Sequence, residues 1–282
     1  MIRIITDSTA VLPPEIASRY HIPIIPQIIN FGEETYYEGV DIDVETFMDK
    51  LQKSNTLPKT AAPPPALFRK EFDKLVPISD TIICIHPSAE VSGTVRSASV
   101  AALEFPQSDI RVIDTRIIAS PLGTIVQLAA EWAEQGISAD IIVERVLQLT
   151  KNARLYFLVD TLKFLAKGGR IGNAAALVGG VLQIKPILTF KNGKVDIYEK
   201  QRTQKKAISR LKDIVLEQLP RANAQYLSIM YTDGDRSTEN FSQSLMDGLK
   251  LHRVTIRNMP PAIITHGGPG GMGVGFFIGD IP

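Results

Sequence analysis

Residues 81–98, TIICIHPSAEVSGTVRSA, constrain the fold of this chain more than any other stretch. The run from Thr81 to Ile85 is apolar on both faces, which is typical of a short strand buried in a parallel sheet. From Val95 onward apolar residues recur at helical spacing, so we expect a helix to begin close to Ser92. A strand, a turn of small residues and a helix N-terminus form a potential anion site, because free N–H groups and the helix dipole point outward there.

Ser92 itself has two interpretations. Its hydroxyl could simply cap the helix, or it could bind an anion, with Gly93 beside it letting that ligand approach the backbone. The stretch alone leaves both interpretations open.

Size and charge limit the possible functions. A chain of 282 residues can bury a substantial core and is expected to form two domains. The 31 basic and 30 acidic side chains nearly cancel, so charge gives no reason to expect binding to nucleic acid or to an anionic membrane.

The N-terminus and the single cysteine point to a cytoplasmic protein. The segment from Met1 to Asp7 enters a strand at once and lacks the apolar core of a signal peptide, and no apolar run is long enough to span a bilayer. Cys84 lies inside the apolar strand and is expected in the core. One cysteine excludes an internal disulfide and a zinc–cysteine cluster.

The order of predicted elements indicates the fold class. Strands and helices alternate over the first half, which predicts right-handed crossovers and a parallel, Rossmann-like sheet. Beyond residue 153 hairpins mix with helices, and Asn192-Gly193 is the strongest hairpin signal. We therefore predict an α/β protein with an N-terminal parallel-sheet domain at 1–153 and a C-terminal α+β mixed-sheet domain at 154–282. Two domains joined so closely are expected to share a ligand cleft.

The glycines of residues 268–273 match the pattern G-x-G-x-x-G. A dinucleotide site needs a helix directly after such a loop, whereas Val274 to Ile278 is expected to be a strand. The pattern is therefore interpreted as a tight turn, which follows a strand predicted at Ala262 to Thr265.

A short apolar helix is predicted earlier, at Ala174 to Gln183.

A serine hydrolase is the enzymatic alternative. Ser92, His266 and an acid such as Asp7 or Asp114 could form a triad. Ser92 lies in V-S-G-T, however, without the flanking glycines of a nucleophile elbow.

A basic stripe around the helix predicted after Thr203 is expected to be a solvated face.

Six short motifs, in order from the first strand to the last, together resemble the DegV family. They are Thr6-Asp7-Ser8-Thr9-Ala10, Thr60 before a proline, Ser92-Gly93-Thr94, Val112-Ile113-Asp114, Gly168-Gly169-Arg170-Ile171 and His266-Gly267-Gly268-Pro269-Gly270. The resemblance implies a two-domain α/β fold that binds one fatty acid in a tunnel between the domains. Some members are the lipid-presenting subunit of bacterial fatty acid kinase, which holds the acyl chain while a separate kinase phosphorylates its carboxylate.

The resemblance also implies roles for particular residues. Thr60 and Ser92, with Gly93 beside Ser92, match the carboxylate-binding hydroxyls of the family, and His266 matches its neighbouring histidine. Arg170 matches an exposed arginine tied to the kinase interaction. On this basis we expect a carrier without catalytic residues, metal or cofactor, whose only ligand is its bound lipid. One departure is Ala61-Ala62, where the family usually has Ser-Gln, which leaves fewer side-chain donors near the head group.

A palmitate-sized ligand agrees with elementary energetics. Each buried methylene contributes about 0.8 kcal/mol, so about fourteen contribute on the order of 10 kcal/mol before the costs of binding. Affinity is then expected to come from a dry slot and orientation from neutral hydroxyls. A carboxylate held by hydroxyls is also easier to release than one held by Arg or Lys.

Overall fold

In the computed structural model, the strand predicted at Thr81–Ile85 runs from Thr81 to His86 and is buried over its whole length. The structure describes residues 1–178, 184–232 and 236–282, with the backbone alone described at 236 and 237. The chain divides into two units, Met1–Lys151 with Pro260–Ala262 and Asn152–Met259 with Ile263–Pro282. The domain limits 1–153 and 154–282 stay a prediction from the sequence.

The first unit is built on a parallel sheet. Its strands are β1 (Ile2–Asp7), β2 (Ile24–Ile25), β3 (Ile28–Phe31), β4 (Glu34–Tyr37), β5 (Lys59–Ala61), β6 (Thr81–His86) and β7 (Asp109–Asp114). The parallel sheet has the order β2-β1-β6-β7, and a separate antiparallel sheet has the order β4-β3-β5. Pro26 lies between β2 and β3, so the single strand predicted at Ile22 to Asn30 is divided between the two sheets.

The helices of the first unit include those that cover the two faces of its parallel sheet. They are α1 (Pro14–Arg19), α2 (Val44–Lys53), α3 (Pro65–Leu75), α4 (Thr94–Ala102), α5 (Ser120–Glu134) and α6 (Ala139–Asn152), with 3₁₀ turns at Ser8–Ala10 and Val76–Ile78. Helices α3 and α4 pack on Ile82 and Cys84 through a core that includes Phe68 and Phe72. Helix α5 packs against β1 and β6, which explains why β6 is apolar on both faces.

The second unit is built on a mixed sheet. Its strands are β8 (Ala153–Leu158), β9 (Lys185–Lys191), β10 (Lys194–Gln201), β11 (Ser228–Tyr231), β12 (Thr255–Asn258) and β13 (Met272–Phe277), in the order β10-β9-β8-β13-β11-β12. The pairing of β11 with β12 is parallel and the others are antiparallel. The helices are α7 (Lys163–Lys167), α8 (Gln204–Gln218), α9 (Arg236–Leu249) and α10 (Pro261–Gly267), with 3₁₀ turns at Gly172–Leu177 and Arg221–Tyr226. The first two residues of α10 belong to the first unit and its remaining residues to the second. The predicted fold class, a parallel α/β domain followed by an α+β mixed-sheet domain, is confirmed.

Two local predictions in this unit are confirmed. Asn192 and Gly193 join β9 to β10 with φ values of 53° and 80°, the left-handed pair that a tight hairpin requires. The G-x-G-x-x-G loop leads directly into strand β13 and not into a helix. That arrangement removes the dinucleotide interpretation.

Two other predictions change. The strand predicted at Ala262–Thr265 is part of α10, because Pro261 occupies the first helical turn, where its fixed φ favours a helix. The strand propensity of the Ile-Ile-Thr run is therefore overridden by its context. The helix predicted at Ala174–Gln183 begins as the 3₁₀ turn Gly172–Leu177, and its residues 179–183 lie outside the described residues.

Candidate functional site

The turn between β6 and α4 holds Ser92. Helix α4 begins at Thr94 and its N-cap residue is Gly93, so Ser92, the cap that the sequence predicted, lies one residue before the observed N-cap. The Ser92 hydroxyl still accepts a hydrogen bond from the Thr94 N–H at 3.3 Å, and its Oγ lies 2.7 Å from Thr94 Oγ1. Ser92 is half-buried and Thr94 is fully buried. One face of the Ser92 hydroxyl is therefore fixed against the helix start.

Gly93 lies against the segment that follows β5. A Cβ added to Gly93 would lie 3.3 Å from the Cβ of Ala62. Thr60, two residues before Ala62, pairs with Ile29 in the antiparallel sheet and is half-buried. The first unit thus places the end of the Thr60 strand beside the Ser92 turn, and a larger side chain at 93 would press the two apart.

A buried polar network lies behind this turn, at the C-terminal ends of β1 and β6. Asp7 Oδ2 lies 2.8 Å from His86 Nδ1. Asp7 Oδ1 accepts hydrogen bonds from the Thr9 N–H at 3.0 Å, the Thr9 hydroxyl at 2.6 Å and the Gln27 amide at 3.1 Å. The same Gln27 nitrogen donates to Thr94 Oγ1 at 2.9 Å. A continuous hydrogen-bonded path therefore joins Asp7 to Ser92.

The sequence interpretation missed His86, Gln27 and Thr94. A signal for His86 existed, because β1 and β6 are adjacent and parallel with Ile5 opposite Cys84. Continuing that register by two residues puts Asp7 opposite His86, at the carboxyl ends where polar side chains of parallel strands meet. Gln27 gave no comparable signal, since it lies in the proline-flanked segment between β2 and β3.

Glu38 is a second buried carboxyl group in the first unit. It accepts hydrogen bonds from the Ser8 hydroxyl and from the Ala262 N–H at the start of α10. Burial raises the pKa of Glu38 to about 7, the two hydrogen bonds oppose that rise, and the nearby charge of Asp7 adds to it. Glu38 therefore titrates near neutral pH.

His266 lies in the last turn of α10, packed against a glycine. A Cβ added to Gly168 would lie 2.2 Å from His266 Nδ1, so the imidazole occupies the space that any side chain at 168 would need. Burial lowers the pKa of His266 to about 4, and the positive charge of Arg170 contributes to that decrease. The ring is consequently neutral at physiological pH.

Arg170 follows the end of α7. The Arg170 N–H donates to the Leu165 carbonyl at 3.0 Å and Gly169 has a φ of 69°, so the two glycines end the helix as the sequence predicts. The side chain is half-buried, whereas the sequence suggested full exposure, because its Nη1 donates to the Gly168 carbonyl at 2.8 Å. Arg170, Gly168 and His266 thus form one cluster within the second unit.

The two acids considered for a hydrolase triad, Asp7 and Asp114, are both engaged in other hydrogen bonds, which does not support the triad. Asp7 has both carboxylate oxygens engaged by His86, Thr9 and Gln27. Asp114 accepts from the backbone N–H groups of Ala89 and Arg116. Each acid therefore already has a structural role within the first unit.

A family model described as "Uncharacterised protein, DegV family" matches residues 1–279. The chain belongs to the DegV family. Protein DegV of Bacillus subtilis is 33% identical over 276 residues, which cover 97% of this chain and 98% of that protein. A DegV domain-containing protein of Streptomyces coelicolor is 36% identical over 275 residues, 97% of each chain. The resemblance seen in the six motifs is thereby confirmed.

Solved structures of other DegV-family proteins have the same fold. The fatty acid binding DegV family protein of Streptococcus agalactiae matches with a TM-score of 0.90 at 29% identity, over 99% of both chains. DegV of Bacillus subtilis, described as a fatty acid binding protein, matches at 0.88 and 32% identity over 99% of both chains. A DegV family protein of Thermus thermophilus, described for its fatty acid binding, matches at 0.87 and 29% identity over 98% of this chain and 99% of that one.

The described residues contain neither a membrane-spanning helix nor a cluster of metal ligands. None of the helices in this part of the chain has the length and apolar character needed to cross a membrane. Likewise, no group of three or more His, Cys, Asp or Glu side chains among these residues could hold a metal ion.

Proposed function

We propose that this DegV-family protein binds one long-chain fatty acid and carries it without catalysing a reaction on it. The observation that supports this most directly is the match to fatty-acid-binding DegV proteins over 98–99% of the chain at TM-scores of 0.87 to 0.90.

The carboxylate is proposed to bind at Thr60, Ser92, Gly93 and His266. Ser92 lies at the start of α4, where the helix dipole favours an anion, and Gly93 leaves the backbone open to approach. The neutral imidazole of His266 can donate or accept one hydrogen bond without forming a rigid ion pair. These are neutral groups, which suit a carboxylate that must later be released.

The acyl chain is proposed to occupy a tunnel between the two domains, as the family resemblance implies. A chain the size of palmitate has about fourteen methylenes, whose burial contributes on the order of 10 kcal/mol before the costs of binding. The hydroxyl groups then decide orientation more than total affinity.

We further propose that the protein works in the bacterial cytoplasm and presents the carboxylate to a separate fatty acid kinase, with Arg170 at the partner surface. The guanidinium binds the Gly168 carbonyl beside His266. A positive charge at that place can orient a partner through complementary charge while the lipid is held by other residues.

Native mass spectrometry of the purified protein, followed by extraction of its ligand, tests the proposal. We expect one co-purified fatty acid per chain, and rebinding of one equivalent of tetradecanoate after delipidation. A fluorophosphonate probe should leave Ser92 unlabelled. A chain that binds no fatty acid would contradict the proposal. Stoichiometric labelling of Ser92 together with ester turnover would support the hydrolase instead.

A further inference from the structure

In the path of hydrogen bonds from Asp7 to Ser92, the chemistry of each group decides which atom of each pair donates the proton. Asp7, Gln27 and Thr94 are exposed by 0%, 3% and 0%. Buried polar groups of this kind satisfy one another, because bulk solvent does not reach them. The hydrogen positions along the path follow from the chemistry of each group in turn.

The amide of Gln27 can take only one orientation. Asp7 Oδ1 already accepts from the Thr9 backbone N–H, so it acts as an acceptor, and the Gln27 atom 3.1 Å from it is the amide nitrogen. A carboxylate has no proton to offer an amide oxygen. The two hydrogens of that nitrogen then point to Asp7 and to Thr94 Oγ1, at 2.9 Å.

Thr94 therefore accepts from Gln27 and must place its own proton elsewhere. Within the described residues, the remaining partner of its hydroxyl oxygen is Ser92 Oγ, at 2.7 Å. If Ser92 were the donor of this bond, the fully buried hydroxyl proton of Thr94 would have no acceptor among the described residues, which costs free energy. Thr94 is consequently the donor and Ser92 the acceptor.

Ser92 also accepts the Thr94 N–H, so both bonds within this turn are made to its oxygen. Its single proton is left for a group outside the turn. We infer that Gln27 and Thr94 are positioning residues that make Ser92 a hydrogen-bond donor to the bound head group. They thereby select a carboxylate, which only accepts hydrogen bonds, over a head group whose own proton would need Ser92 as its acceptor. This inference rests on the proposed function and adds the source of its head-group specificity.

Binding of two ligands of equal chain length tests the inference. Tetradecanoate and tetradecan-1-ol bury the same alkyl chain, but the carboxylate only accepts hydrogen bonds whereas the alcohol can donate one. Removing the Thr94 hydroxyl in Thr94→Val frees Ser92 to donate to or accept from the ligand. The preference for the carboxylate over the alcohol should then fall by about threefold to tenfold, the scale of one net hydrogen bond.

Three further variants make the result specific. Thr94→Ser keeps the hydroxyl and should restore the wild-type preference. Gln27→Met removes the amide that fixes Thr94 and should reduce the preference as Thr94→Val does. Thr81→Val deletes another buried hydroxyl of the same unit, which donates to Asp109 at the far end of β6, and should change nothing. A variant that weakens both ligands by the same factor has lost only structure, and that outcome overturns the inference.

A measurement without ligand separates this inference from the proposed function. Side-chain amide NMR of the delipidated protein should show both Gln27 Nε2 protons protected from exchange. In Thr94→Val one of these protons loses its acceptor and should exchange faster. Gln107, which is exposed, serves as the unprotected reference. Fast exchange of a Gln27 proton in the wild type contradicts a path that runs from Gln27 through Thr94 to Ser92. If the protection is present but neither ligand binds, the proposed function fails while the hydrogen-bond direction stands.

Discussion

His86 Nδ1 lies 2.8 Å from Asp7 Oδ2, and neither side chain is exposed to solvent. The His86 ring packs on Phe68 in a T-shaped arrangement, with the ring centroids 5.2 Å apart. This pair fixes the carboxyl ends of β1 and β6 to each other and anchors the path of hydrogen bonds that ends at Ser92.

Replacing Asp7 by Asn should destabilise the first unit. An amide keeps one acceptor oxygen but faces His86 Nδ1 with a poorer partner, so we expect the free energy of unfolding to fall by about 2 kcal/mol, the scale of a lost hydrogen bond to a charged group. Urea denaturation measures the change. Asp73→Asn, at an exposed carboxylate of α3, is the control and should be nearly neutral. Equal stability of Asp7→Asn and wild type would show that the pair contributes little.

Stability should depend on pH through Glu38. Its pKa is raised from 4.5 to about 7 in the folded protein, so the folded state binds the proton more tightly than the unfolded state. The resulting contribution is complete below pH 4.5 and is lost as the pH rises through 7. Between about pH 5 and about pH 8 the stability of wild type relative to Glu38→Gln should fall by roughly 2.5 kcal/mol.

Urea denaturation at the two pH values tests the Glu38 prediction. Glu33→Gln, at an exposed carboxylate, should follow the wild type at both pH values. A difference between wild type and Glu38→Gln that is independent of pH would mean that Glu38 titrates at its ordinary value.

The packing of His266 on Gly168 predicts a steric effect of a single methyl group. Gly168→Ala would place a Cβ 2.2 Å from His266 Nδ1, so the ring must move. We expect a loss of about 1 to 3 kcal/mol in stability, typical of overpacking, together with weaker fatty acid binding. Gly267→Ala is the matched control in α10, because a Cβ there meets nothing within 4 Å. Similar affinities for the two variants would argue against a role of His266 in binding.

Arg170 should separate lipid binding from partner function. Arg170→Ala is expected to leave the affinity for tetradecanoate almost unchanged, because the guanidinium binds the Gly168 carbonyl and the head group is assigned to neutral residues. Formation of acyl phosphate with a cognate kinase and ATP should decrease. Lys167→Ala, at an exposed lysine of α7, controls for loss of nearby positive charge. Loss of lipid binding in Arg170→Ala would place this residue in the carboxylate site instead.

The sequence was sufficient where a local pattern decides the structure. The run Thr81–Ile85 is apolar on both faces because helices cover both faces of β6, and Asn192-Gly193 has the backbone freedom that its turn requires. The sequence was misleading at Ile263-Ile264-Thr265, where β-branched residues lie in a helix started by Pro261. Local propensity could not show that outcome, because it depends on how distant segments pack.

The candidate site divides in the same way. Ser92 could be predicted as a candidate from the strand, turn and helix around it, all within a few residues. The role of Gln27 depends on contacts with Asp7 and Thr94, which are 20 and 67 positions away in the chain. For Arg170, the sequence predicted the end of the helix before it. It did not predict the hydrogen bond from the guanidinium to the Gly168 carbonyl. Such contacts between distant positions are set by the fold and leave no periodic signal.

Calorimetric titration of delipidated Ser92→Ala with tetradecanoate tests the central claim most directly. Loss of one hydrogen bond to a charged head group should raise the Kd by about 5- to 30-fold, which corresponds to about 1 to 2 kcal/mol, while the fold persists. Ser99→Ala, at an exposed serine of the same helix, should keep the wild-type Kd. An unchanged Kd for Ser92→Ala would contradict the assignment of Ser92 to the carboxylate.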